Sequence, residues 1–206
     1  MKSMFITLEG IEGSGKSSSL ETINNYLSKS EISYINTREP GGSDLGKKLR
    51  SILLDTKSIL SPQVELLLML ADRKDHIERV IMPNLKKGLC VVSDRFMDSS
   101  IAYQGGGREL NIKSIKLMTK ELNFPKPNLT ILFDLPVEIS LERAKKRGNL
   151  DRFEQEDLDF HNRIRETYLK LANEEPHRIK VVDSSKTFDE VQDKIIGILE
   201  DFNERI

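Results

Sequence analysis

The sequence has little that would hold a fold together covalently. Its single cysteine, Cys90, cannot form an internal disulfide, and the surrounding Leu89-Cys90-Val91-Val92 run marks it as a small buried filler rather than a nucleophile. Long apolar runs are also missing. The longest, residues 66–71, falls far short of the roughly 20 residues that a membrane-spanning helix needs, so no membrane partner is expected. The first nine residues reach Glu9 before any signal-peptide core can form, and the expected location is cytoplasmic. His76, His161 and His177 are scattered with no second ligand at metal spacing, which argues against a histidine zinc site. Neither sign of charge is in excess. With 32 Lys+Arg against 33 Asp+Glu, the net charge of −1 offers no global field for nucleic acid or an acidic membrane, so any anion site must be local.

What remains is a well-charged chain of 206 residues, 32% of them Asp, Glu, Lys or Arg against the usual ~25%, the size of one large domain spanning 1–206. Short β-rich runs at 5–9, 33–37, 89–93, 129–135 and 179–183 alternate with helical periods at 16–29, 45–54, 62–87, 112–122, 136–146, 158–173 and 188–203. That alternation predicts a doubly wound α/β fold with a five-stranded parallel sheet and crossover helices. Ser61-Pro62 reads as an N-cap and first-turn proline, and Gly88 as the stop of that long helix. Gly41-Gly42 and Gly105-Gly106-Gly107 read as loop punctuation after strands.

Chemistry enters at Gly10-Ile11-Glu12-Gly13-Ser14-Gly15-Lys16-Ser17, which satisfies the phosphate-loop pattern of glycine, four residues, Gly-Lys-Ser. Between an apolar strand and an amphipathic helix, such a loop aims its backbone amides at phosphate oxygens. Lys16 is expected to reach the β- and γ-phosphates and Ser17 to join Mg²⁺, with Ser18 beside them in the ATP site. A GTPase would also need Asn-Lys-x-Asp, which is absent; Ser184-Ser185-Lys186 has no such partner.

Three further elements suggest the acceptor. Val92-Ser93-Asp94-Arg95-Phe96 ends an internal strand with a carboxylate suited to Mg²⁺ and an arginine fork suited to phosphate. Thr37-Arg38-Glu39-Pro40-Gly41-Gly42 follows the second strand at the edge where open α/β sheets bind ligands. Arg143, Lys145, Lys146, Arg147 and Arg152 crowd a helix end, either as a solvated terminus or as a lid at about 143–157. Bringing a phosphate acceptor against ATP makes two polyanions touch, and closing positive charge answers that need. A phosphomonoester, largely a dianion at pH 7 with its second pKa near ~6, needs arginines rather than a dedicated base.

Together 37–42, 94–108 and 143–155 resemble the thymidylate kinase family over essentially the whole chain, the middle segment being the most specific. Gly13 and the basic 143–152 stretch look like a bacterial type that carries its basic residues in the lid. The resemblance implies transfer of the ATP γ-phosphoryl group to dTMP in dTTP synthesis, with Mg²⁺, by a homodimer packed through long helices. Arg95 and Arg50 then grip the dTMP phosphate, with Arg38 near it. Glu12 meets the sugar 3′-hydroxyl, and Glu39 and Asp94 lie about the metal and phosphates. Arg73 faces the thymine O4 edge, with Ser99, Ser100 and Gln104 nearby; Tyr103 crowds the sugar 2′ position. Arg147 meets the transferring phosphoryl group, and Arg143 stacks on adenine. One departure stands out: Met69 occupies a position where a phenylalanine often stacks on thymine. As one more core residue of the 62–87 helix, Met69 has an alternative explanation. The apolar run ending at Leu70 fits either a dimer face or core. A deoxynucleoside kinase, another nucleoside monophosphate kinase, or a phosphate-loop module without catalysis are the alternative functions.

Overall fold

A computed structural model describes residues 3–204; Met1, Lys2, Arg205 and Ile206, the ends of the expected 1–206 unit, lie outside the described residues. Strands β1 (Phe5–Glu9), β2 (Tyr34–Arg38), β3 (Cys90–Asp94), β4 (Leu129–Asp134) and β5 (Ile179–Asp183) form one parallel sheet in the order β2-β3-β1-β4-β5. The expected five-stranded α/β architecture is present. β2 and β3 start and end one residue later than the apolar runs suggest, because Arg38 pairs with Asp94 and the Glu39 amide then donates to the Asp94 carbonyl. The pairing therefore carries Arg38 and Asp94 to the C-terminal edge of the sheet. β4 stops at Asp134, one residue earlier than expected, where Ser184 N–H caps the ladder.

β1 is buried at every position, whereas the edge strand β2 is mostly half-exposed, as a sheet covered on both faces requires. Ile6, Leu8 and Val92 pack on one face with Ile23 and Leu27 of α1 (Lys16–Lys29) and Ile195 and Leu199 of α9 (Phe188–Asn203). Phe5 and Val91, one step away in the period-two pleat, pack on the other face with Phe96 and Ile81. Cys90 sits in the first of these clusters, 1% exposed, and burial pushes its thiol up to about 12.

Helix α2 (Asp44–Leu54) packs on α3 (Pro62–His76), which starts as expected: Ser61 Oγ accepts from Val64 N–H and Pro62 fills the first turn. The predicted single helix over 62–87 is instead α3, a widened π turn at Ile77–Ile81, and α4 (Met82–Lys86). Pro83 gives the reason. It has no N–H to donate, and the hydrogen bond from Met82 N–H to Ile77 O takes up the extra residue one turn earlier. Of the 66–70 run, Leu66 and Leu70 are buried in the core while Leu67 is 58% exposed.

A larger correction concerns 97–107. Helix α5 (Met97–Ser100) continues into a π-helical segment, Ile101–Gly107, so Gly105, Gly106 and Gly107 do not punctuate a loop. They let this segment touch α8 (Leu158–Glu174): a Cβ on Gly106 would lie 2.9 Å from Arg163 O, and one on Gly107 would lie 2.6 Å from the Phe160 ring. Helices α6 (Ile112–Glu121) and α7 (Val137–Arg147) complete the covering layers. Among the described residues no helix is long and apolar enough to cross a membrane.

Candidate active site

Helix α1 starts at Lys16 behind Gly15, which is left-handed at φ 96, and its first turn holds no acid, unlike those of α2, α3, α7, α8 and α9. Its N-terminal amides and the positive end of its dipole are thus left for an external anion. The loop is pressed against α7, so that a Cβ at Gly13 (φ 69) would lie 2.8 Å from Ser140 O and 3.2 Å from Arg143 Cβ. Ser140 Oγ also donates to the Glu12 carbonyl. Lys16 Nζ donates to Gly10 O and Ile11 O, each at 2.9 Å, and to Ser14 Oγ at 3.3 Å. Burial and the nearby Arg95 charge lower its pKa to about 8.

Across the β1–β3 gap, Arg95 has a left-handed backbone (φ 70) while its N–H donates to Leu8 O at 2.9 Å. This turn sends the guanidinium over the phosphate loop. Nη2 donates to Glu12 Oε1 at 2.8 Å, Nη1 reaches Ser99 Oγ (3.3 Å) and Tyr168 OH (3.4 Å), and the group stacks 4.9 Å from the Tyr103 ring centre. Tyr103 OH donates to the same Glu12 oxygen at 2.5 Å. Burial alone would raise the Glu12 pKa, but Arg95, Lys16 and the Tyr103 hydroxyl hold it below the ordinary value. Glu12 Oε2 and Asp94 Oδ1 are buried without a hydrogen-bond partner among the described residues. Beneath them Glu9 accepts from Phe96 N–H, Ser99 and Tyr168, and burial, with Asp98 second, pushes its carboxyl up to about 7.

On the β2 side, Arg73 is 2% exposed; its Nε donates to Glu39 Oε2 at 2.5 Å and its Nη1 to Ser100 Oγ at 2.7 Å. The other Glu39 oxygen meets His76 Nδ1 at 2.8 Å. Glu39 therefore departs from the arrangement about metal and phosphates that the resemblance implies: both of its oxygens are occupied, and it orients Arg73 instead. Arg50 Nη1 donates to Pro40 O at 2.8 Å, and burial together with the Arg38 charge lowers its pKa. Met69 is half-buried, packs against the main apolar cluster and also lines the cavity. The two explanations offered for it are therefore compatible.

The basic stretch does not act as one unit. Arg143 reaches Gly13 O (3.5 Å) and Ser184 O (3.4 Å), bridging the phosphate loop and the loop after β5. Arg147, 59% exposed, pairs with the buried Glu154. Lys146 pairs with Glu142 one helical turn back, away from the cavity. Arg152 is no free lid cation, because its Nη1 donates to Glu65 at 2.8 Å and its Nε to Leu53 O at 2.9 Å.

These parts surround one cavity of about 800 Å³. Glu12, Gly13, Ser14, Gly15, Lys16, Ser17, Ser18, Arg38, Glu39, Arg50, Met69, Arg73, Asp94, Arg95, Ser99, Ser100, Tyr103, Gln104, Arg143 and Arg147 all line it. Gly10 and Ile11 do not; they sit behind the loop and offer only carbonyls to Lys16. Sequence reasoning missed Glu154, Phe153, Lys186 and Gln192 in the lining and Tyr168 behind it. Tyr168 falls on the buried face of α8 with Ile164 and Leu171, so helical periodicity reads it simply as core. Among the described residues no three His, Cys, Asp or Glu side chains converge as a metal cage. Asp94, with its unpartnered oxygen, and Ser17 fit a Mg²⁺ shared with phosphates, since this ion commonly takes only one or two protein carboxylates.

A family model described as thymidylate kinase matches residues 8–195. The chain is 46% identical to a thymidylate kinase of Carboxydothermus hydrogenoformans, covering 98% of this chain and all of the relative. It is 43% identical to one from Neisseria meningitidis, covering 97% and 98%. A crystal structure of thymidylate kinase from Ehrlichia chaffeensis superposes with a TM-score of 0.79 at 30% identity, over 97% of this chain and 99% of that one.

Proposed function

The chain belongs to the thymidylate kinase family, an ATP-dependent phosphotransferase that converts dTMP to dTDP, and we propose that its cavity joins the two nucleotides end to end across the phosphate loop. The observation that carries this reading is the unequal furnishing of the cavity. At the β2–β3 side of the sheet lie Arg38 and Arg95, with Arg50 and Arg73 bonded to Pro40 and Glu39 just after β2; at the β4–β5 side lie Arg143 and the loop at Ser184. Thymidine could offer its base to Arg73 but nothing anionic to Arg38, Arg50 and Arg95, whereas dTMP brings a phosphate.

In this reading the loop amides and α1 hold the ATP phosphates, and Lys16 leaves the Gly10 and Ile11 carbonyls for the β- and γ-oxygens. Arg143 covers adenine. Arg95, Arg50 and Arg38 hold the dTMP phosphate in line with the γ-phosphoryl group. Asp94 and Ser17 would hold Mg²⁺, which supplies charge neutralisation across the phosphates. Arg147 leaves Glu154 and meets the charge that spreads as the phosphoryl group moves. The acceptor is already an anion, so no base is needed. Glu12 Oε2, buried and unpartnered, suits the sugar 3′-hydroxyl, and the Tyr103 ring closes the 2′ side.

Residues 1–206 are taken as one functional unit with 143–157 as its lid, working in the cytoplasm. The exposed Leu67, Val64 and Ile52 on α3 and α2 suit a homodimer packed through these helices. A coupled assay with ATP and a panel of nucleosides and nucleotides tests the reading. Turnover of dTMP but not thymidine is expected, and equal turnover of thymidine would overturn it.

A further inference from the structure

Glu65 on α3 is 0% exposed and lies outside the cavity lining. Its carboxylate gathers three side chains: Gln104 Nε2 at 2.9 Å, Arg108 Nε at 3.1 Å and Arg152 Nη1 at 2.8 Å. A carboxylate that receives two guanidiniums presents its oxygens as acceptors, and Arg108 and Arg152, both mostly shielded from solvent, hold this one in that role. The Gln104 amide is therefore left with one orientation, Nε2 toward Glu65 and Oε1 away from it. Gln104 is 1% exposed, lines the cavity, and among the described residues no donor reaches its Oε1. Four residues earlier, Ser100 accepts from Arg73 at 2.7 Å, so the same end of the cavity holds a guanidinium donor and a glutamine acceptor.

That donor and acceptor match the edge of one pyrimidine. Thymine offers an acceptor at O4 and a donor at N3–H; cytosine offers the reverse, a 4-amino donor and an unprotonated N3. We propose that Glu65 is a positioning residue for base selection, holding the Gln104 carbonyl toward N3–H and preventing the amide flip that would accommodate cytosine. This rests on reading the arginine-rich end of the cavity as the dTMP site. Glu65 touches no substrate. Arg152 on the same carboxylate immediately precedes Phe153 and Glu154 of the cavity wall, so base reading and lid share an anchor.

The test compares kcat/KM for dTMP and dCMP in the wild type, Glu65→Gln, Gln104→Ala and the double variant. A neutral amide at position 65 both donates and accepts, so Gln104 is free to turn. The dTMP preference is expected to fall about tenfold or more in Glu65→Gln, mainly through KM, by a similar factor in Gln104→Ala, and no further in the double variant. An unchanged preference in folded Glu65→Gln, or additive effects in the double variant, overturns the inference. A merely structural role would lower activity on both nucleotides equally. Because Glu65→Gln leaves Arg152 without its carboxylate and Arg108 with Glu156 alone, and can fail to fold, a second measurement uses the wild-type chain. The side-chain amide protons of Gln104, identified by their loss in Gln104→Ala, should exchange slowly with solvent, and unprotected exchange overturns the proposal. A wild type that ignores dTMP overturns the functional reading together with this inference; one that accepts dTMP while Glu65→Gln keeps its preference overturns the inference alone.

Discussion

Arg95 at the end of β3 donates to Glu12 in the phosphate loop at 2.8 Å, so one charge pair joins the residue placed to hold the acceptor phosphate to the loop placed to hold the donor. Only one oxygen of Glu12 takes part, and the other is buried without a partner among the described residues. Glu12→Gln should lower kcat/KM for dTMP on the order of tenfold more than for its 3′-deoxy analogue, because only dTMP loses the hydrogen bond from its hydroxyl. Steady-state kinetics with both nucleotides checks this. Equal losses would mean that Glu12 serves Arg95 and not the sugar.

Arg147 and its neighbour Lys146 separate a catalytic lid arginine from general basicity. Arg147→Ala should lower kcat by roughly 10²-fold with small changes in either KM, as expected for a group engaged mainly in the transition state. Lys146 faces Glu142 and solvent, and Lys146→Ala should stay within about twofold of wild type. A comparable loss in both variants would return the stretch to a diffuse electrostatic role.

Met69→Phe tests the departure from an aromatic base platform. A ring adds roughly 0.5–1.5 kcal/mol beyond the area it buries, so dTMP should bind a few-fold tighter with kcat and ATP affinity unchanged. The packing of Met69 against the core sets the opposing effect: an overpacked ring would cost ~1–3 kcal/mol of stability. Melting curves with and without dTMP distinguish the two. A larger ligand-induced shift supports the platform, and a lower ligand-free Tm with an unchanged shift opposes it.

Lys16 carries a pH dependence with a definite sign. Burial lowers its pKa to about 8 from the usual 10.5, so the ligand-free folded chain releases a proton above pH 8 that the unfolded chain still holds. Its contribution to folding stability thus improves as pH rises from about 8 toward 10.5. Phosphate binding has the opposite sign, since it needs the ammonium. ATP affinity measured by calorimetry should weaken above pH 8 by up to about tenfold per unit, and Lys16→Met should bind weakly with no such slope. A flat wild-type profile would place the Lys16 pKa well above the measured range.

Local pattern determined a good deal about this protein. The alternation of short apolar runs with helical periods was enough for five parallel strands, because each crossover has to bury an apolar stripe on the sheet. The glycines of 10–15 with Lys16 marked the phosphate loop, whose requirements are met within eight neighbouring residues. The helical period of 62–87 gave one continuous helix, and only the structure placed the widened turn ahead of Pro83. The Gly105–Gly106–Gly107 run shows the limit most plainly: the same residues suit a turn or a close helix contact, and the presence of α8 chose the contact. The charged residues depended still more on the fold. Glu39 pairs with Arg73 and His76 rather than facing a metal, and Arg152 is tied to Glu65, 87 positions away, instead of standing free as a lid cation. A buried charge must find its counter-charge wherever packing brings one, and that partner is set by tertiary proximity rather than by spacing along the chain.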